Sequence, residues 1–139
     1  MGSPPPLSVL LPVRNGEAFI HHALDSLSRQ TYPDFEVIVV DDGSSDRTGE
    51  VVREMASQDS RIRLFPRQPL GIVAALEFAR VQARGRYLAR MDADDGAFSR
   101  RLEVQMDFMQ ANPRVGLSGT GIVYFPRERV RTGARRYEG

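Results

Sequence analysis

The sequence contains no cysteine and no lysine. Without cysteine there is no disulfide framework and no thiolate metal site, and redox arguments leave the compartment open. Every basic side chain except two histidines is therefore an arginine. The planar guanidinium suits phosphate recognition, although a genomic composition bias accounts for the missing lysine more simply. No apolar run approaches the roughly 20 residues that span a bilayer. The first six residues lack the basic-then-apolar order of a signal peptide and are expected to form a disordered lead-in. A net charge of +1 gives no whole-chain field that would draw the protein to nucleic acid.

What is present fits one globular domain. The chain has 139 residues, 41% of them hydrophobic and 27% charged, enough for a real core. The segment is expected to be soluble and cytoplasmic, at the inner face of the membrane if a longer parent carries an anchor. The expected organisation is a lead-in over 1–6, a single domain over 7–126 and a loosely held arginine-rich tail over 127–139.

Short apolar runs alternate with amphipathic stretches. Leu7 to Val13 reads as a buried strand, ended by the turn signal Arg14-Asn15-Gly16. Asn15 is expected to cap a helix over Glu17 to Gln30, whose inner face is Ile20, Ala23, Leu24 and Leu27. Phe35 to Val40 is a second buried strand. Asp46 caps a helix to about Gln58, with Val52, Met55 and Ala56 inward. Ile62 to Phe65 is a third strand. Gly71 to Ala83 is a helix with Ile72, Ala75, Leu76 and Ala79 on one face, ended by Gly85. Arg86 to Met91 is a fourth strand, and Ser99 caps a helix to about Ala111. Val115 to Ser118 and Ile122 to Phe125 look like further strands. This alternation predicts an α/β fold, a mostly parallel sheet with helices on both faces.

In such sheets ligands bind beyond the carboxyl ends of the strands. Three polar clusters fall there: Pro12-Val13-Arg14-Asn15, Asp41-Asp42-Gly43 and Asp92-Ala93-Asp94-Asp95. Carboxylates crowded on one rim repel unless a cation or hydrogen-bond donors hold them. If Asp92 to Asp94 is extended, Asp92 and Asp94 face one way. Two carboxylates with open positions suit Mg²⁺ or Mn²⁺, which keep waters and accept phosphate oxygens. The plainer alternative is that Asp94 or Asp95 caps a turn. Asp41 or Asp42 can accept a base N–H or a ribose hydroxyl, and ordinary turn chemistry across Asp42-Gly43-Ser44 is the competing account.

The clusters in this order carry more than each alone. The run SVLLPVRNGEAFIHHALDSLSRQTYPDFEVIVVDDGSSDRT resembles the opening of family 2 glycosyltransferases, which have the GT-A, Rossmann-like fold. GRYLARMDADD resembles that family's strand ending in its Asp-x-Asp motif, and RRLEVQMDFMQANPRVGLSGT the helix and strand that follow. The match covers roughly Ser8 to Thr120. It implies a nucleotide-diphosphate-sugar donor, with a lean to UDP-sugars, a divalent metal (Mn²⁺ or Mg²⁺) and inverting transfer to a carbohydrate or lipid-linked acceptor, as in cell-envelope polysaccharide biosynthesis. Carried over by position, Pro12, Val13, Arg14 and Glu17 would line the base and ribose pocket, and Asp42, or as the second choice Asp41, would bind the base. Gly71 lies in the donor-side loop. Asp92, Ala93 and Asp94 form the Asp-x-Asp element, with metal contact from Asp94 and Asp92. Two departures stand out. Glu77 replaces the Asn frequent in the third helix, and Ser99 replaces a helix-opening Pro.

Inverting transfer needs a base to deprotonate the acceptor hydroxyl. Past Thr120 the only carboxylates are Glu128 and Glu138, both among arginines, so the base and acceptor pocket are expected to be missing from this chain, an excised piece or a natural short homologue. Apolar surface left uncovered would then favour self-association. His21 and His22 are adjacent on a helix and face different ways, unlike a metal-binding pair at i, i+4. A non-catalytic nucleotide-binding or interaction module on the same fold is the main alternative. A phosphoacceptor receiver domain would need its acidic pair after the first strand and a lysine. A dinucleotide dehydrogenase would need Gly-x-Gly-x-x-Gly after that strand.

Overall fold

The computed structural model describes residues 2–123. The elements run β1 (Leu7–Val13), α1 (Ile20–Ser28), β2 (Phe35–Asp41), α2 (Thr48–Gln58), β3 (Ile62–Pro66), α3 (Ile72–Gln82), β4 (Tyr87–Arg90) and α4 (Arg101–Ala111). The chain divides after Arg100 into two compact units. The first holds the sheet with α1 to α3, and the second holds α4 and the segment after it.

The four strands form a wholly parallel sheet in the order β3-β2-β1-β4. Every residue of β1 and β2 is buried. These are the central strands, and their near-continuous apolar sequence reflects cover on both faces. At the edges the signal weakens: β4 alternates between partly buried and exposed residues. Right-handed crossovers put α1 and α2 on one face, since both connections move the same way across the sheet. The return from β3 to β4 puts α3 on the other face. Ala75 and Ala79, one turn apart on α3, let that helix lie close on Leu10, Ile38 and Val40. Phe65, Leu76 and Phe78 flank this contact, and Phe65 meets Phe78 edge to face at 5.5 Å.

On α1 the expected inner face is the observed one: Ile20, Ala23, Leu24 and Leu27 are all buried. Ile72 differs. It was expected inside but is 53% exposed, because it opens α3 at the carboxyl edge of the sheet, one turn before the Ala75–Ala79 stripe. Val115 to Ser118 forms no strand, since an extended segment becomes one only with a partner backbone to pair with. Ile122 and Val123 are likewise not strand residues, and the remainder of the expected strand over 122–125 lies outside the described residues, as does the 127–139 tail.

A buried carboxylate ties the amino ends of the strands together. Glu36 pairs across the sheet with Ser8 and is 2% exposed. It accepts the Ser8 hydroxyl at 2.7 Å, the Arg84 N–H at 2.8 Å, Arg84 Nε at 2.9 Å and Arg63 Nη1 at 2.8 Å. Burial by itself would raise this carboxyl, but the hydrogen bonds from Arg84, Ser8 and Arg63 outweigh it and hold the group at about 2. One side chain thus joins β1, β2, β3 and the turn into β4.

Candidate functional site

The carboxyl ends of β2, β1 and β4 lie side by side. The chain leaves β1 toward β2 on one side, and β4 returns on the other, so the gap between β1 and β4 is the switch point of the sheet. Pro12 marks its mouth. The Leu10 carbonyl accepts Met91 N–H on the β4 side, and the Val13 carbonyl accepts Asp42 N–H on the β2 side. Alternation turns the Pro12 nitrogen toward β4. The last β1–β4 pair is Leu10 with Arg90, so the N–H that proline lacks costs no ladder bond there.

The loops that leave β1 and β2 are zipped together. Asn15 N–H donates to Ser44 Oγ at 2.8 Å, and Asn15 Oδ1 accepts Ser45 N–H at 2.8 Å. Gly16 N–H reaches Thr48 Oγ1 at 2.9 Å. Glu17 makes a reciprocal clasp: its N–H donates to Asp46 Oδ2 at 3.2 Å, and its carboxylate accepts Arg47 N–H at 2.9 Å. Asp46 also accepts the N–H and hydroxyl of Thr48 at the start of α2, and the hydroxyl bond leads the causes that lower its carboxyl. Asn15 therefore does not cap α1, which begins only at Ile20 and has no side-chain cap on its first residue. Its left-handed backbone (φ 50°), which asparagine tolerates better than most residues, turns its side chain to the neighbouring loop. Sequence reasoning places Asn15 in a rim cluster but misses its link to Ser44 and Ser45, and that of Gly16 to Thr48. Their signal was composition, two loops rich in short hydrogen-bonding side chains at the tips of adjacent strands.

The two aspartates at the end of β2 divide their work. Asp41 Oδ1 accepts Ser44 N–H at 3.0 Å, closing a local turn. Asp42 is 4% exposed and reaches across to the segment before α3, accepting Leu70 N–H at 2.9 Å and Gly71 N–H at 2.8 Å. Among the predicted site residues, Val13, Asp42 and Gly71 are thus joined directly. Ala93 lies beside Gly16. Pro12 and Val13 are buried in β1, while Arg14 and Glu17 are exposed at its tip.

The acidic cluster after β4 is not extended. Asp95 N–H donates to the Asp92 carbonyl at 3.2 Å, a turn across Ala93-Asp94. The expectation that Asp92 and Asp94 point alike because they alternate on an extended stretch is therefore corrected. The turn satisfies a backbone donor that a free strand end would leave to water. Asp92 is half-exposed and pairs with Arg90 at 3.0 Å. Asp94 is exposed. Among the described residues no three His, Asp or Glu side chains sit close enough to hold a metal between them. This donor set is no all-protein cage. It fits an ion of the Mg²⁺ or Mn²⁺ kind that takes one or two carboxylates and completes its shell with water and substrate phosphates. His22 packs over Gly96, next to this turn.

A parallel α/β sheet with polar loops gathered at its switch point defines a nucleotide-binding class of fold, and its solved neighbours are GT-A glycosyltransferases. Staphylococcus aureus TarS 1–349 in complex with UDP-GlcNAc superposes with a TM-score of 0.73 at 28% identity, over 85% of this chain and 37% of that one. The mannosyltransferase PcManGT of Pyrobaculum calidifontis, solved with GDP-Man and Mn²⁺, gives 0.73 at 31% identity, over 81% and 34%. The model of glycosyl transferase family 2 matches residues 8–138, and the chain belongs to that family. Among relatives, Bacillus subtilis glycosyltransferase EpsE is 35% identical over 137 residues, 97% of this chain and 49% of EpsE. EpsJ of the same organism is 41% identical over 91 residues, 66% of this chain and 26% of EpsJ. The chain thus spans half or less of the length of these relatives. No helix among the described residues is long and apolar enough to cross a membrane.

Proposed function

We propose that this chain is the donor-binding part of a metal-dependent, inverting glycosyltransferase that takes a nucleotide-diphosphate-sugar, a UDP-sugar in the first instance. The observation that carries this reading is the convergence of the β1, β2 and β4 tips at one switch point in a family 2 chain. The nucleotide base and ribose lie against Pro12, Val13, Arg14, Glu17, Asp42 and Gly71. The diphosphate lies toward Asp92, Ala93 and Asp94.

Asp94, exposed at the turn, is the principal carboxylate for Mn²⁺ or Mg²⁺. Asp92, paired with Arg90 here, would be the second carboxylate to hold the ion. The ion supplies charge neutralisation to the departing diphosphate. In the transfer itself the acceptor oxygen bonds to the anomeric carbon while the bond from that carbon to the diphosphate oxygen breaks, and the acceptor proton passes to a base. Neither that base nor the acceptor pocket is assigned to a described residue of this chain.

The test is a titration with UDP, GDP, dTDP and NAD in the presence of Mn²⁺. Saturable binding of a nucleoside diphosphate with none of NAD supports the reading, and indifference to all four refutes it. Binding that persists without transfer in any longer parent chain would favour the alternative, a non-catalytic nucleotide-binding module.

A further inference from the structure

The segment 67–71, between β3 and α3, is exposed for most of its length yet fastened at several points. Arg67 N–H donates to the Asp41 carbonyl at 2.9 Å. The Arg67 guanidinium lies 4.5 Å over the Phe78 ring and donates to the Ala74 carbonyl at 3.1 Å. Pro69 packs on Gly43 so closely that a Cβ there would come within 2.6 Å of it. At the far end both Asp42 carboxylate oxygens receive backbone N–H groups, from Leu70 and Gly71. Gly71 has φ +93° with open space around its α-carbon, so backbone conformation, not crowding, is what a side chain would disturb there.

We infer that Asp42 is a positioning residue: its buried carboxylate latches Leu70 and Gly71 across the strand tips, so that the 67–71 segment forms a fixed wall of the nucleotide site. The inference rests on the nucleotide-sugar reading and adds a role to that site. Three features support it. The carboxylate sits ahead of the first turn of α3, where the unpaired N–H groups and the helix dipole favour a negative charge. A carboxylate offers about four lone-pair directions, so two backbone donors leave it able to accept a further N–H from a ligand. The same side chain is almost wholly buried, which fixes the geometry before any ligand arrives. Leu70, 63% exposed at the end of this segment, is then held in place by its backbone rather than by side-chain packing.

The experiment compares Asp42→Ala, Asp42→Asn, Gly71→Ala and the Asp42→Ala/Gly71→Ala double variant with the wild-type chain. One readout is amide hydrogen exchange, and the other is affinity for UDP and GDP with Mn²⁺. In Asp42→Ala, protection at Leu70 and Gly71 should fall by about tenfold to a hundredfold, the range for losing a hydrogen bond to a charged group, while Ile38 and Val39 of β2 stay protected. Asp42→Asn, which keeps one acceptor oxygen, should fall between. Gly71→Ala should weaken the nucleotide without touching Asp42, and the double variant should lose little more than the worse single variant. Unchanged protection at Leu70 and Gly71 would overturn the latch. Additive affinity losses, or a loss confined to Asp42, would overturn the positioning role in favour of ligand contact alone. If the wild-type chain binds neither nucleotide, the donor-binding reading fails and the wall role with it, while the exchange data still decide whether the latch exists. Should Asp42→Ala also lose protection in β2, Asp42→Asn and Gly71→Ala decide the question.

Discussion

Replacing Glu36 with glutamine removes one charge and almost no volume from the amino ends of the strands. In the folded protein the carboxyl sits at about 2 against an ordinary 4.5. Its depressed value means that the ionised form stabilises the fold above about pH 4.5, and that this contribution disappears as pH falls toward 2. The full difference of 4.5 − 2 = 2.5 corresponds to about 3 kcal/mol, of which about 2 kcal/mol is gone by pH 3. Arg84 is half-exposed and Arg63 less so, so both can turn to water when the charge is removed. That relief, with solvent screening, brings the expected cost of Glu36→Gln at neutral pH to about 2 kcal/mol. Urea unfolding of both proteins from pH 7 down to pH 2.5 measures the effect. The wild-type advantage should be roughly constant above pH 5 and shrink steadily below pH 4.5. Asp59 is also lowered to about 2, with the Arg61 bonds first among the causes, and adds its own acid sensitivity to both proteins, so the difference between them isolates Glu36. A pH-independent difference, or none, would refute the assignment of Glu36 as the ionised link between strands.

Two further substitutions test packing and the loops. Leu24→Ala, at a fully buried α1 position, should cost about 2–5 kcal/mol in chemical denaturation. Gly43→Ala should strain a backbone at φ +77° and press on Pro69, costing about 1–3 kcal/mol, with exchange at Leu70 and Gly71 rising while α1 amides are unaffected. A neutral result would mean that Pro69 is not seated on Gly43.

The sequence makes the central sheet legible because its signals are local. Leu7–Val13 and Phe35–Asp41 are apolar throughout since both faces of each strand are covered, and α1 shows its stripe because one face meets the sheet. The acidic clusters are placed correctly at strand tips for the same reason: the strands ahead of them are recognisable. Legibility ends where a partner distant in sequence decides the outcome. Asn15 reads as a helix cap, but the parallel register brings Ser44 and Ser45 to it first. The clasp of Glu17 with Asp46 and Arg47 is of the same kind, set by a loop about 30 residues away. Ile72 fits the periodicity of α3 yet lies past the edge of the layer beneath it. Val115–Ser118 has a strand's composition but, among the described residues, no strand beside it. Between Asp92 and Asp95 a single backbone hydrogen bond turns an expected extended run into a turn.

The central claim, that carboxylates beyond β4 take a divalent ion together with a diphosphate, is tested most directly by titrating UDP and GDP with and without Mn²⁺ against the wild-type chain and Asp94→Ala. The account predicts that Mn²⁺ tightens nucleotide binding by roughly tenfold or more in the wild-type chain and that Asp94→Ala abolishes the gain while leaving metal-free affinity near its original value. Equal tightening by Mn²⁺ in both proteins would contradict it.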